Sequence, residues 1–292
     1  MPNSVRRVLS IVLRVVLAAL FVVSAGAKLF AIDSFELYVF SYGFFSLNFT
    51  YIFVRLCIAA EFLVGVFLAL GWWPRMVRLL TLLMLLAFSL FLCYAALVGR
   101  MESCQCFGQL VQFNPIESLL KNAALVLLVL LYGRLDRRAA TPKRWHLPVA
   151  IAVVIAVVVA VFCISVPDSW MFHADESYYN RELIEEAVSP QGALADQKLD
   201  EGHQLVAFVT PGCPYCRMAH EKLTSIIQRH DLDSAQVHYY EPADLPEGLF
   251  LDITYGQRPF ILLLDDGHVL TTYHYRNINE SQIVRHLTGQ SR

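Results

Sequence analysis

The chain has 292 residues, 57% of them hydrophobic and only 16% charged, with a mean hydropathy of +0.50. That composition excludes an ordinary soluble globular protein and requires a membrane portion, with length to spare for a second domain. The formal net charge of −2, with Lys and Arg in short clusters beside apolar runs, leaves no nucleic-acid footprint. Five apolar runs are long enough, or nearly so, to cross a bilayer core of about 30 Å as helices: Val8–Phe30, Tyr51–Leu70, Met76–Val98, Ile116–Tyr132 and Leu147–Val166. The fourth is the shortest. Arg6-Arg7, an apolar core and Ser24-Ala25-Gly26-Ala27 imitate a signal peptide, but the core is longer than a signal h-region and further spans follow, so the first run reads as a retained span.

Charge asymmetry orients the spans. Arg6, Arg7 and Arg14 flank the first run, Arg75 and Arg78 separate the second from the third, and Arg134, Arg137, Arg138, Lys143 and Arg144 precede the fifth. The other connections are poor in Lys and Arg. By the positive-inside rule the N-terminus is cytoplasmic, the Asp33–Thr50 and Gly99–Pro115 loops face outward, and everything after Val166 is delivered to the outer side. Trp72, Trp73, Trp145 and Trp170 adjoin span ends, as interfacial anchors do.

Ionisable residues inside spans are costly and face a partner or a cavity. Lys28, Arg55 and Lys121 fall in the outer halves of their runs and Glu61 near a bilayer midplane. Two readings stand: a polar cluster beneath the Gly99–Pro115 loop that stabilises a thiolate and polarises a bound quinone, or basic chains that snorkel to the headgroups while Glu61 locks packing. That loop holds Cys104-Gln105-Cys106-Phe107-Gly108. Two cysteines one residue apart form only a strained, readily exchanged disulfide, which suits a relay, although Cys-x-Cys also serves as a soft-metal ligand pair for Cu(I) or as a static link. Of the other five cysteines, Cys57, Cys93 and Cys163 lie singly in apolar runs, where packing is the default role and an accessory relay the alternative.

Phe172–Gly202 marks a composition shift. Asp175–Val188 is acidic with Leu183, Ile184 and Val188 at helical spacing, a segment suited to docking on the domain that follows. The apolar strand Leu205–Val209 then stops at Thr210-Pro211-Gly212 and turns into a helix opened by Cys213-Pro214-Tyr215-Cys216. Cys213 at the helix mouth is the attacking thiolate, favoured by unpaired N–H groups and the helix dipole, and Cys216 one turn on is the resolving thiol. Pro214 fits the first turn. The helix puts Met218, Leu223, Ile226 and Ile227 on one face and Arg217, Glu221, Lys222, Gln228 and Arg229 on others. Gln236–Tyr240 reads as a second strand, Phe260–Leu264 and Val269–Tyr273 as a hairpin through Asp265–His268, and Ser281–Thr288 as a closing helix. A zinc half-site or a surface disulfide is the bland alternative for the motif. His220, His230 and His238 lack metal-ligand spacing, and no metal site is expected.

The strand-turn-helix layout of Cys213 to Cys216 resembles thioredoxin-like domains. That resemblance implies a cis-proline at Pro259, packed against the Cys-x-x-Cys, with Arg258 lining a substrate groove. The first half resembles the MauE/DoxX family of redox-associated membrane proteins, named for methylamine utilisation. The matching pieces are Ser24-Ala25-Gly26-Ala27-Lys28-Leu29, Ala60-Glu61-Phe62-Leu63-Val64-Gly65, Cys104-Gln105-Cys106-Phe107-Gly108 and Lys121-Asn122, in the family's order. It implies a four-helix bundle and a part in the thiol–disulfide chemistry of exported proteins. The expected architecture is therefore an α-helical transmembrane bundle, a four-helix core (1–138) plus a fifth tethering helix (139–171), then an acidic linker and helix (172–203) and an α/β thioredoxin-like domain (204–292).

The function these readings imply is a membrane thiol–disulfide oxidoreductase of the bacterial inner membrane. Exported client thiols would pass electrons through Cys213–Cys216 to Cys104–Cys106 and on to a quinone, with no tightly bound cofactor expected. The reductive direction uses the same residues, and copper handling is the alternative of another class. Bacterial homologues of vitamin K epoxide reductase, quinone-linked bundles fused to thioredoxin-like domains, offer an analogy of architecture only.

Overall fold

The computed structural model describes residues 3–98, 114–136, 145–166, 179–194 and 199–289. Cys104 and Cys106 lie outside the described residues, as do Trp170 and the basic residues from Arg137 to Arg144. The chain forms two compact units: Met1–Tyr38 with Tyr51–Ser165, and Val39–Thr50 with Val166–Arg292.

Among the described residues five helices are long and apolar enough to cross a membrane: α1 (Asn3–Phe30), α3 (Leu47–Leu70), α4 (Pro74–Leu97), α5 (Pro115–Leu135) and α6 (His146–Ile164). Each expected run is found: α1 and α3 begin five and four residues earlier than expected, and α4 and α6 end one and two residues sooner. In hydrocarbon a helix satisfies its own backbone, which is why these Leu, Val and Ala runs settle as helices and not as open strands. The helix α2 (Ile32–Ser41) was not expected; it occupies part of the Asp33–Thr50 segment read as a loop. Leu79, Leu83, Leu86 and Leu90 stay exposed on α4, the side-chain chemistry of a lipid-facing surface. Inward, Leu17, Phe21, Leu68, Val77, Leu85, Val129 and Tyr132 form one core.

Small residues set how closely these helices approach. A Cβ on Gly65 of α3 would stand 2.7 Å from Val22 Cγ2 and 3.1 Å from the Ala18 carbonyl of α1, so only glycine permits this contact. Arg6, Arg14, Arg78 and Arg134 gather at one end of the unit. Arg6 donates to the Arg134 carbonyl (2.7 Å) and the Leu135 carbonyl (3.1 Å), and the Arg78 guanidinium lies 5.9 Å from the Tyr132 ring. The α3–α4 turn meets the start of α6, where Trp72 stacks on His146 at 4.7 Å with Trp145 edge-on at 6.0 Å.

The second unit holds a four-stranded mixed sheet in the order β2-β1-β3-β4, from β1 (His203–Phe208), β2 (Val237–Tyr240), β3 (Phe260–Asp265) and β4 (His268–Tyr273). β1 runs parallel to β2 and antiparallel to β3, with Leu205 opposite Leu263 and Val206 opposite Leu262. β3 turns back on β4 through Asp266 and Gly267, both at positive φ. The parallel crossover is α8 (Pro214–His230), and β2 leads by way of α9 (Leu249–Thr254) into β3; α10 (Glu280–Leu287) closes the unit. Strand β3 is buried from Phe260 to Leu264, as a strand covered on both faces must be.

The acidic segment docks as expected. In α7 (Arg181–Val188), Asn180 caps the Leu183 N–H at 3.2 Å, Ile184, Ala187 and Val188 enter the core with Phe208, Phe260 and Leu262, and Glu185 accepts the Val269 N–H at 3.1 Å. The same unit clasps its Val39–Thr50 segment. Arg229 donates to the Phe40 and Phe45 carbonyls (2.9 and 2.8 Å) and pairs with Glu280 at 2.8 Å, while Glu280 accepts the Leu47 N–H at 2.6 Å.

His286 is expected to make this unit acid-sensitive. It is buried on α10, its Nε2–H donates to the Leu264 carbonyl at 2.8 Å, and its ring lies 4.5 Å from that of His203, which pairs with Asp265. Burial pulls its pKa below the usual 6.5, outweighing the opposing pull of the Leu264 hydrogen bond; His238 and His274 are lowered by burial too. Groups held neutral in the fold contribute stability above the unfolded pKa and lose it as pH falls below 6.5. Amide exchange of β3 and α10 should therefore accelerate at pH 5.5 relative to pH 7.5 after intrinsic-rate correction, by roughly tenfold or more, and His286→Gln should weaken that dependence, leaving the part carried by His238 and His274.

Candidate functional site

Strand β1 ends at Phe208, and Gly212 at φ +76° supplies a left-handed turn that a side chain would resist. This turn sets Cys213 as the N-cap of α8, its Sγ accepting the backbone N–H of Cys216 at 3.3 Å. Pro214 follows at the first helical position, where no N–H is needed. Cys213 is half-buried and Cys216 is buried, and the two thiols are unlinked. One sulfur is thus reachable and bonded to a helix-terminal donor, while the other sits beneath it.

Burial pushes the Cys216 thiol up to about 11, helped by its hydrogen bond to Cys213 and opposed by the Thr210 backbone and the Arg258 charge. Arg258 is exposed and precedes Pro259 through a cis peptide bond at the entry to β3. Tyr215, inside the motif, is 45% exposed and stacks on Tyr275 at 4.6 Å.

The polar residues of the spans resolve into two sites within the first unit. Lys28 is buried, donating to Glu61 Oε2 at 2.7 Å and to Ser24 Oγ at 2.9 Å, while Ser24 donates to Glu61 Oε1 at 2.7 Å. Lys121 lies within electrostatic reach of Lys28 and Glu61, and Asn122 beside it donates to Ser89 at 3.3 Å. Arg55 belongs elsewhere. It is 1% exposed, pairs with Glu36 of α2, and donates to the Tyr51 carbonyl (2.8 Å) and to Ser165 beyond the end of α6. Lys28 and Arg55 therefore do not snorkel: each has a carboxylate partner inside the protein.

Other sequence expectations fare unevenly. Lys222, read as a solvent-side residue of α8, is 2% exposed and donates to the Tyr275 carbonyl at 2.9 Å. It falls in the stripe Cys216, Ala219, Leu223, Ile226, and its long stem reaches the carbonyl past apolar neighbours. Cys57 is half-buried, whereas Cys93 and Cys163 lie on exposed faces of α4 and α6 and pack in no core. Glu36 was missed because its helix was not expected. Among the described residues no group of three or more His, Cys, Asp or Glu side chains is placed to hold a metal ion.

These features define a protein with apolar helices of membrane-spanning length, followed by a small α/β unit that opens one helix with a dithiol. Residues 6–135 match the family described as methylamine utilisation protein MauE, so the N-terminal region is MauE-like, as the resemblance of its motifs implied. Protein TlpB of Flavobacterium psychrophilum is 24% identical over 269 residues, covering 75% of this chain and 72% of its own. No solved structure gives a significant match.

Proposed function

We propose that the chain is a membrane thiol–disulfide oxidoreductase in which a thioredoxin-like unit exchanges disulfides with exported proteins. The observation that carries this reading is the pairing of an accessible helix-capping sulfur, Cys213, with a buried sulfur, Cys216, whose own N–H points at it. The sheet order β2-β1-β3-β4 and the cis Arg258–Pro259 bond support a thioredoxin-like fold. The convergence of basic residues at one end of the helical unit supports the orientation drawn from the positive-inside rule, with the α/β unit on the outer side.

The sulfur chemistry balances in two-electron steps. A client thiolate attacks the Cys213–Cys216 disulfide at Cys213, forming a mixed disulfide and releasing Cys216 as thiol. A second client thiolate then displaces Cys213, which leaves an oxidised client and a reduced pair. Cys213 next attacks a Cys104–Cys106 disulfide, and Cys216 resolves the link, so that the two electrons and two protons reside on Cys104 and Cys106. An acceptor of the quinone class at the bilayer takes both and becomes quinol. Within the MauE-like region, the Lys28–Glu61–Ser24 group would have to give up one of the Lys28 bonds to Glu61 or Ser24 for its ammonium to donate to a quinone carbonyl.

Membranes holding the protein, given a reduced client and an oxidised quinone, should form quinol only when Cys104, Cys106, Cys213 and Cys216 are all present. Turnover that ignores Cys104 and Cys106 would remove the quinone-linked relay. Stoichiometric copper on the purified protein, without any trapped mixed disulfide, would replace exchange by metal handling.

A further inference from the structure

We infer that Tyr275 is a positioning residue for the dithiol, acting through Tyr215, the residue between the two cysteines. Tyr275 is 9% exposed and is held through its ring, carbonyl and hydroxyl. Its ring stacks on Tyr215 at 4.6 Å with the planes 24° apart. Its carbonyl takes the ammonium of the buried Lys222 at 2.9 Å, and that same ammonium lies 5.6 Å from the ring. Its hydroxyl accepts from Arg276 Nε, whose guanidinium lies 5.3 Å from the ring.

The consequence is mechanical. Tyr215 directly precedes Cys216, and it is the Cys216 N–H that reaches Cys213 Sγ at 3.3 Å. A ring that is 45% exposed would ordinarily sample several rotamers, but stacked on a fixed partner it holds the Pro214–Cys216 turn and keeps that N–H aimed at the sulfur. A donor aimed at a thiolate stabilises the reduced form, which makes the disulfide the stronger oxidant. Lys222 completes the device, because a lysine taken out of water needs acceptors and finds one in the backbone of the residue it steadies. The aromatic clamp thus biases the pair towards accepting electrons, the direction in which the proposed relay runs.

This inference rests on reading Cys213–Cys216 as an exchanging dithiol, and the experiment separates the two. The full-length protein in nanodiscs is equilibrated with glutathione redox buffers, and Cys213 is followed by peptide-resolved alkylation across pH. Tyr215→Ala removes an exposed side chain and should slow alkylation of Cys213 at neutral pH by roughly threefold to tenfold. It should also move the equilibrium towards the disulfide by roughly threefold to tenfold. Tyr275→Leu, which keeps bulk without a ring face, should give the same shift. Tyr275→Phe, which keeps the stack, should retain the wild-type profile. Because both residues act through one contact, Tyr215→Ala/Tyr275→Leu should shift no further than either single variant. Wild-type behaviour of Tyr275→Leu, or additive shifts in the double variant, would overturn the inference while leaving the exchange reading intact. Absence of any glutathione exchange in the unmodified protein would overturn both.

Discussion

Replacement of Cys213 by Ser is expected to abolish client exchange by the intact protein, a loss on the order of 10³-fold or more, because no other described sulfur is both accessible and helix-capping. Cys216→Ser should behave differently. It can form no Cys213–Cys216 disulfide for a client to attack, but its Cys213 thiolate can still attack a Cys104–Cys106 disulfide, and without the resolving thiol that link stalls and accumulates on Cys213. The wild-type pH dependence follows from burial of the resolving thiol. With the Cys216 pKa pushed up to about 11, little of it is thiolate at neutral pH, so resolution should accelerate steadily as pH rises towards that value. Quenched-flow trapping of the mixed disulfide at several pH values measures this directly. Equal turnover by Cys213→Ser would move the chemistry to another residue.

The second large effect is expected in the helical unit. Lys28→Met removes the partner of Glu61 and leaves a carboxylate, 13% exposed, with the Ser24 hydroxyl as its remaining hydrogen-bond donor among the described residues. Breaking a buried pair from one side costs about 3–5 kcal/mol, and Lys121, still within electrostatic reach of Glu61, holds the loss towards the lower figure. Lys28→Met/Glu61→Gln should recover much of the stability, since no uncompensated charge remains. Unfolding in mixed detergent micelles compares the three proteins. If Lys28→Met proved as stable as the wild type, Lys28 would be reaching the headgroups and not Glu61.

The contrast between these two sites shows what a linear sequence carries. The dithiol was legible because every part of it is local: a strand, a Gly212 turn, a capping cysteine and Pro214 lie within a dozen residues, and short-range geometry dictates their arrangement. The spans were legible for the same reason, as hydropathy needs no partner. Depth in the bilayer identified Lys28, Arg55, Lys121 and Glu61 as costly residues, but which of them meet depends on how helices rotate against one another. Lys28 meets Glu61 because Gly65, one turn further along the helix, lets α1 and α3 touch. Arg55 meets Glu36, which lies in a ten-residue helix of mixed aromatic and polar residues with no clear period. Lys222 was misread because a charged residue at a core-facing helical position is ordinarily solvated, and its acceptor comes from Tyr275, 53 residues away.

The proposal stands on direct sulfur exchange between the helix-capping dithiol and the Cys-Gln-Cys pair. The most direct measurement is disulfide mapping by mass spectrometry of full-length Cys216→Ser and Cys106→Ser proteins isolated from membranes under acid quench. The expected result is a trapped bond from Cys213 to Cys104 or Cys106 within one chain, lost when Cys213 is also replaced. Recovery of Cys213 bonded only to clients or glutathione, with Cys104 never linked to it in either variant, would contradict the relay.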